Sequence, residues 1–211
     1  MDTNGLAVLA ISMHAKSSSL RERLREETDT VHQSLHRNPG LHQLIGGQSS
    51  IGLYQNVLKV FYQYYRALEG SFDFVAPELR FPYEAQPLQW LAKDFSVQKF
   101  ANQFSAFHAV PDNMVPNCLE AYLGYLYVKQ GSTLGGQAIS KQLKKNLGLE
   151  PGETQFFFYG FGNQTSVYWK EFLEYLGQLE SKLDKDLVVI AAQTYFQLLD
   201  AAFRRHFPAE G

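Results

Sequence analysis

A chain of 211 residues with a net charge of −2 and one cysteine is long enough for one substantial core, and one domain is the default. The near-neutral balance gives no global field for nucleic acid or an anionic membrane. Cys118 alone excludes an internal disulfide and any cysteine-rich metal site, which fits a reducing, cytoplasmic setting. The apolar run at residues 6–11 lacks a basic lead and a clear cleavage site. No segment reaches the roughly 18–20 apolar residues of a membrane span, so a soluble protein is expected.

Residues 1–16 show no sustained periodicity and read as a flexible arm, leaving 17–207 as a single helical domain. After the N-cap candidates Ser17, Ser18 and Ser19, a stripe of Leu20, Leu24, Thr28, Val31 and Leu35 predicts a helix that Asn38-Pro39-Gly40 stops. A second amphipathic helix is expected from about Ile51 to Val75, carrying Tyr54, Leu58, Phe61, Tyr65, Leu68 and Phe72. Pro77 and Pro82 punctuate a connector, and Pro87 is placed to open a short helix through Trp90 and Leu91. Ser96 is a candidate cap for a further short helix holding Phe100, Phe104 and Phe107. The next segment reads as one long helix from about Val115 to Leu147, interrupted by Gly131, Gly135 and Gly136 and ended at Gly148. Glu153–Tyr159 reads as a short helix broken by the glycines at 160 and 162; helices over about Gln164–Leu179 and Asp184–Arg205 follow. No hairpin dipeptide separates alternating apolar runs, so the fold class is all-α, with about eight helices.

The three glycines each cost roughly 1 kcal/mol against Ala in a helix interior. A sequence that keeps them needs a bend, a close helix crossing, or a backbone lying against something flat. His32 and His36 share one helix side, but no third protein ligand is in evidence for zinc, and no Glu-x-x-His motifs exist for a diiron carboxylate bundle. A lone histidine beside an apolar stripe is equally a hydrogen-bonded packing residue. Arg25 lies two turns before His32, about 10 Å along the axis. That separation suits a flat ligand with a central metal and carboxylates at its edge, or simply a solvated surface charge.

The segment from Leu24 to His32 resembles the proximal-histidine segment of haem oxygenases. Gly131-Ser-Thr-Leu-Gly-Gly-Gln137 resembles their glycine-rich distal helix, and Phe158-Tyr-Gly-Phe-Gly-Asn163 the aromatic-glycine turn that follows. The likeness runs from about Leu20 to Phe203 and is nearest to bacterial biliverdin-forming enzymes associated with phytochromes. It implies a single-domain haem-oxygenase-like bundle with a glycine-kinked distal helix. It also implies oxidative cleavage of haem, both substrate and cofactor, by O2 and an external electron donor to biliverdin, CO and ferrous iron. His32 would be the axial iron ligand, and Arg25 would pair with a propionate. Gly131, Ser132, Gly135 and Gly136 would form the distal catalytic wall. Tyr127, Tyr168 and Lys170 are alternative edge contacts, with surface or packing roles equally open, and Phe196, a further candidate haem contact, also reads as a core residue. The implied partners are a reductase or ferredoxin and, as product acceptor, a bilin-binding phytochrome.

Ser132 stands where animal enzymes have an aspartate, and His36 where they have a glutamate that accepts a bond from the proximal imidazole. Their later basic pair falls at Glu171 and Tyr175. These departures keep open a haem-binding store, carrier or sensor of the same fold without turnover. A related bundle binding another small molecule, of the thiamin-pathway or quinone-cofactor kind, is a third reading.

Overall fold

The computed structural model describes residues 18–46, 49–99 and 117–208. The expected N-terminal arm, the start of the long helix at Val115, and Phe100, Phe104 and Phe107 lie outside them. Among the described residues there are seven α-helices and no strand. The first, α1, spans Leu20–Arg37 and opens on a capping box: Ser19 Oγ accepts from Glu22 N at 3.3 Å, and Glu22 Oε2 accepts from Ser19 N at 2.9 Å. The predicted stripe faces inward, with Leu20, Leu24, Thr28 and Leu35 buried.

Asn38 both ends α1 and caps a helix that the sequence did not disclose, α2 (Pro39–Ile45), its side chain accepting from Gly40 N at 3.0 Å. Pro39 at the first helical position has no N–H to orphan, so the residues that stop α1 also start α2. Helix α3 spans Ile51–Ala67 and is eight residues shorter at its end than the apolar spacing predicts. Gly70, at φ +81°, takes the chain into turns, yet Leu68, Phe72 and Val75 remain buried. Periodicity thus continued where the helix did not.

Pro87 opens α4 (Pro87–Val97) as expected. Ser96 lies inside that helix, its carbonyl accepting from Gln98 N, and the helix it was expected to cap lies outside the described residues. Helix α5 spans Leu119–Leu147 without a break in its helical assignment, and Gly148 ends it in the left-handed region at φ +67°. Gly131, Gly135 and Gly136 all keep negative φ. Ser132 Oγ donates to Lys129 O at 2.8 Å and Thr133 Oγ1 to Gln130 O at 2.7 Å, hydroxyl-to-backbone contacts of the kind that accompany bent helices. Residues Glu153–Tyr159 form turns instead of a helix. Their organiser is Gln155, fully buried, whose Nε2 donates to Ser140 O and Leu149 O. Helices α6 (Thr165–Leu179) and α7 (Lys185–His206, capped by Asp184) complete the chain.

Helix α7 is the central support, packing most extensively on α5 and then on α1. The α5 crossing is close because residue 124 is glycine: a Cβ there would lie 2.6 Å from Ala191 Cβ and 2.7 Å from both Ala192 N and Val188 O. A close helix crossing was one reading of the glycines at 131, 135 and 136, and Gly124 is the residue that makes it. Gly124→Ala should lower stability by about 1–3 kcal/mol through overpacking against backbone. Gly177→Ala, where a Cβ meets nothing within 4 Å, should raise it by up to about 1 kcal/mol. Urea unfolding of the two variants checks the contrast.

Candidate functional site

Between α1 and α5 lies a cavity of about 440 Å³ with a largely apolar lining, within the size range of small-molecule sites. Helix α1 brings Arg25, His32 and His36 to it; α5 brings Tyr127 and the stretch from Gly131 to Gly136. Phe157 and Phe158 of the turn after α5, Trp169 of α6 and Phe196 of α7 close the remaining sides.

His32 reaches into the open space, which is why it is exposed although surrounded by protein. Burial lowers its pKa, as does neighbouring His36, while Asp29 opposes them. A neutral imidazole, with a free nitrogen lone pair, is therefore the dominant form at neutral pH. Its Nε2 lies 3.2 Å from His36 Nε2, and the rings meet edge-to-face at 4.6 Å. This contact occupies the outer nitrogen of both rings. Phe196 rests against His32 at 5.7 Å and Tyr127 at 6.5 Å, so it is both core and cavity wall.

Arg25, three-quarters exposed, lines the cavity and among the described residues makes a 3.5 Å contact with Glu26. Tyr127 stands near it, its pKa raised by burial and held back by a Thr28 hydrogen bond and the charges of Arg25 and Arg21.

The three helix glycines do three different things. A Cβ on Gly135 would meet nothing within 4 Å, so this position is open cavity. On Gly131 it would touch the Trp169 ring at 3.7 Å. On Gly136 it would lie 2.9 Å from Phe158 O, so here the glycine admits the turn rather than a ligand. Ser132 Oγ has its one hydrogen directed at Lys129 O, so Tyr65 Oη, 3.2 Å away, is the donor to it. Burial pushes the Tyr65 pKa up to about 12, keeping the hydroxyl neutral.

An apolar slot, an imidazole on one wall, a glycine wall with Cβ space free at Gly135 and an exposed guanidinium in the lining together fit a porphyrin. Comparison with known proteins agrees. The family model described as heme oxygenase matches residues 18–205. The chain belongs to the haem (heme) oxygenase family.

Solved haem oxygenases share its fold. That of Leptospira interrogans superposes with a TM-score of 0.70 at 20% identity, covering 89% of this chain and 100% of its own. The haem complex of haem oxygenase-1 from the cyanobacterium Synechocystis gives 0.69 at 19%, covering 89% and 92%. The Neisseria meningitidis enzyme, solved with NO and CO bound, gives 0.69 at 18%, covering 92% and 94%. No curated protein sequence matches the chain. Among the described residues no group of three or more His, Cys, Asp or Glu side chains is placed to hold a metal ion, and no helix is long and apolar enough to cross a membrane.

Several expected contacts of this haem oxygenase family member fall elsewhere. Tyr168 stacks on Tyr83 at 4.6 Å and Lys170 faces Glu174 at 3.8 Å; neither lines the cavity. Glu171 and Tyr175, which stand where animal enzymes have their basic pair and were not expected as contacts, do not line it, and Tyr175 donates to Leu79 O at 2.6 Å.

Tyr65 and Asp94 escaped the sequence reading. Asp94 is fully buried on α4, where its carboxylate accepts from Tyr54 Oη at 2.8 Å and from Phe156 N and Phe157 N at 2.9 and 2.8 Å. It thereby fixes the turn whose Phe157 and Phe158 wall the cavity. Burial pushes its pKa up to about 6, against the pull of these donors, from an unperturbed 3.8. The folded state therefore holds the Asp94 proton more tightly than the unfolded chain, and this stabilising contribution is lost as pH rises through 6. Asp94→Ala should cost about 2–4 kcal/mol, since it orphans two buried amides and a hydroxyl. The wild type's advantage over this variant should shrink between about pH 4 and pH 6, measurable by urea unfolding across that range.

Proposed function

We propose that this protein is a biliverdin-forming haem oxygenase, converting haem to biliverdin, CO and ferrous iron with O2 and electrons from an external reductase or ferredoxin. The observation that carries the reading is His32 facing, across one apolar slot, a helix wall that lacks a Cβ at Gly135.

Haem supplies the redox chemistry, its reduced iron activating O2 for attack on the ring's own meso carbon. The chain's part is placement. His32 offers a nitrogen lone pair to the iron. If that nitrogen is Nε2, His36 must first leave it, since one atom cannot serve both. Arg25 is long and free enough to meet a propionate at the cavity mouth. Gly135 lets helix backbone approach the ring face, crowding a small diatomic toward the ring edge. Ser132 Oγ, its hydrogen turned to Lys129 O, presents an acceptor lone pair by which it holds water beside that wall. Phe196 and Tyr127 form the adjoining aromatic wall. A bilin-binding phytochrome as product acceptor and a cytoplasmic setting accord with this chemistry.

One observation favours a second reading, haem storage or carriage without turnover. Ser132 holds its only hydrogen away from the cavity and is shorter and less acidic than a carboxylic side chain. Haem titration followed by reduction in air separates the two, with products resolved by chromatography. A histidine-ligated Soret spectrum followed by biliverdin and CO supports the enzyme. Stable haem without bilin supports the carrier, and no haem complex at micromolar protein refutes both. His32→Ala should abolish the histidine-ligated spectrum. Gly135→Ala should leave the haem-free fold as stable or up to about 1 kcal/mol more so, while weakening haem binding about tenfold or more, because the added methyl projects into the slot.

A further inference from the structure

The proposed steps give His36 no task beyond yielding its contact with His32. Yet the two residues sit four apart on α1, on one side of the helix, and both line the cavity. Axial ligation of one iron uses one imidazole, so haem binding leaves the second ring unused.

The pair has the geometry of a chelate. Its two Nε2 atoms lie 3.2 Å apart. Closed on that separation, bonds of about 2.05 Å from imidazole nitrogen to a zinc-class ion subtend about 100° at the metal, close to tetrahedral. The ring centroids, 4.6 Å apart, are farther from each other than the nitrogens are, so the Nε2 edges face inward. They exceed the nitrogen separation by less than two ring radii, so the rings meet at an angle and not head-on. Small side-chain rotations then bring both lone pairs onto one ion, and the rings are held by Phe196 and by each other, with no backbone bond to break.

The proton balance is simple. In the present contact one Nε2 donates and the other accepts. Moving that one proton to Nδ1 of its own ring frees both lone pairs and releases no net proton. Both residues are exposed, so water can accept from Nδ1. Asp29, one turn before His32 in the same lining, draws positive charge toward that ring, and Arg25 two turns away opposes it. Among the described residues no third His, Cys, Asp or Glu joins the pair. Water therefore fills the remaining positions, and a bound ion can exchange.

We propose that His32 and His36 form a two-histidine chelate for a divalent transition ion of the zinc class, filled when haem is absent. Imidazole nitrogen selects zinc or copper over the oxygen-seeking magnesium and calcium. An ion held there occupies His32, so haem and the ion exclude each other and haem loading requires the ion to leave. The chelate stands on the histidine pair alone; the exclusion rests on the haem-oxygenase reading.

Calorimetric titration of the haem-free chain with ZnCl2 at neutral pH should reveal one site that His32→Ala and His36→Ala each weaken about tenfold or more. His36 is exposed on a helix and Ala is the better helix former, so that variant keeps its fold. His42→Ala removes an exposed histidine outside the cavity and should leave zinc affinity unchanged. Cupric ion, which binds such ligands more tightly, should show electron-paramagnetic splitting from two histidine nitrogens in the wild type and from one in His36→Ala. Zinc at about ten times its Kd should raise the apparent haem Kd of the wild type about tenfold, and that of His36→Ala about twofold or less. Absence of a zinc site, or equal zinc affinity in His36→Ala and wild type, overturns the chelate. A zinc site that leaves the haem titration unshifted overturns the exclusion. Failure of the wild type to bind haem refutes the functional reading, while the zinc titration still decides the chelate.

Discussion

The architecture depends on the contact of α5 with α7 at Gly124, where the missing side chain on α5 lets its backbone meet Ala191 Cβ and the α7 backbone. At 3.6 residues per turn, Gly131 and Gly135 lie within roughly 20° of the Gly124 direction on α5, and Gly136 about a third of a turn away. One stripe of α5 therefore begins against α7 and ends as cavity wall. The crossing fixes the rotation of α5, and that rotation decides which residues border the slot. Farther along α7, Phe196 and Leu199 stand back and become lining. Because α1 also packs on α7, a single helix sets both the separation of the two walls and their mutual orientation.

The polar residues around the slot follow from this apolar frame. Burying a carboxylate or an ammonium is tolerated only with a full set of partners. Asp94 has three donors; Glu84 has an ammonium and a phenol. Both sit where a chain segment must be held against the cavity rather than in the deepest core. Asp94 fastens the turn after α5, and Ala85 beside Glu84 donates its amide to Gln130 Oε1 at 2.5 Å, tying the connector before α4 to α5. The two non-helical segments of the wall, at Ala85 and at Phe157–Phe158, make few regular backbone bonds of their own, so side chains supply the missing acceptors.

That division explains what was legible in sequence. Helices whose signals are local were readable: the Ser19–Glu22 capping box, the inward stripe of α1, Pro87 at the start of α4 and Gly148 at the end of α5. Signals with two meanings misled. Asn38-Pro39 ends one helix and begins another, and Leu68 and Phe72 keep helical spacing while packing from turns, with Phe72 stacked on Tyr125 at 4.9 Å. The Glu153–Tyr159 stretch has helix-compatible residues, but its backbone bonds go to Asp94 and around Gln155. For the site, motif likeness placed His32 and the glycines in one cavity with Arg25, Tyr127 and Phe196. Tyr65 and Asp94 had no motif to announce them, since each acts on residues 40 or more positions away, and such pairings are properties of the fold.

The histidine pair shows why the site need not be rigid to be specific. Two imidazoles in a largely apolar slot satisfy each other through an Nε2 to Nε2 contact, so neither nitrogen is left unpartnered. A metal-centred ligand engaging His32 Nε2 takes one partner of that bond and releases the other. The released His36 nitrogen is exposed, so solvent can take the place of the partner it loses. His36 then remains one helical turn from the ligating ring, on the same side. From there it can meet the other ring nitrogen of His32 only by rotation of both side chains. Because the rings are held by Phe196 and by each other rather than by backbone bonds, that rotation needs no change in the helices that set the slot. The walls can stay fixed by the α5–α7 crossing while the ligating group adjusts between them.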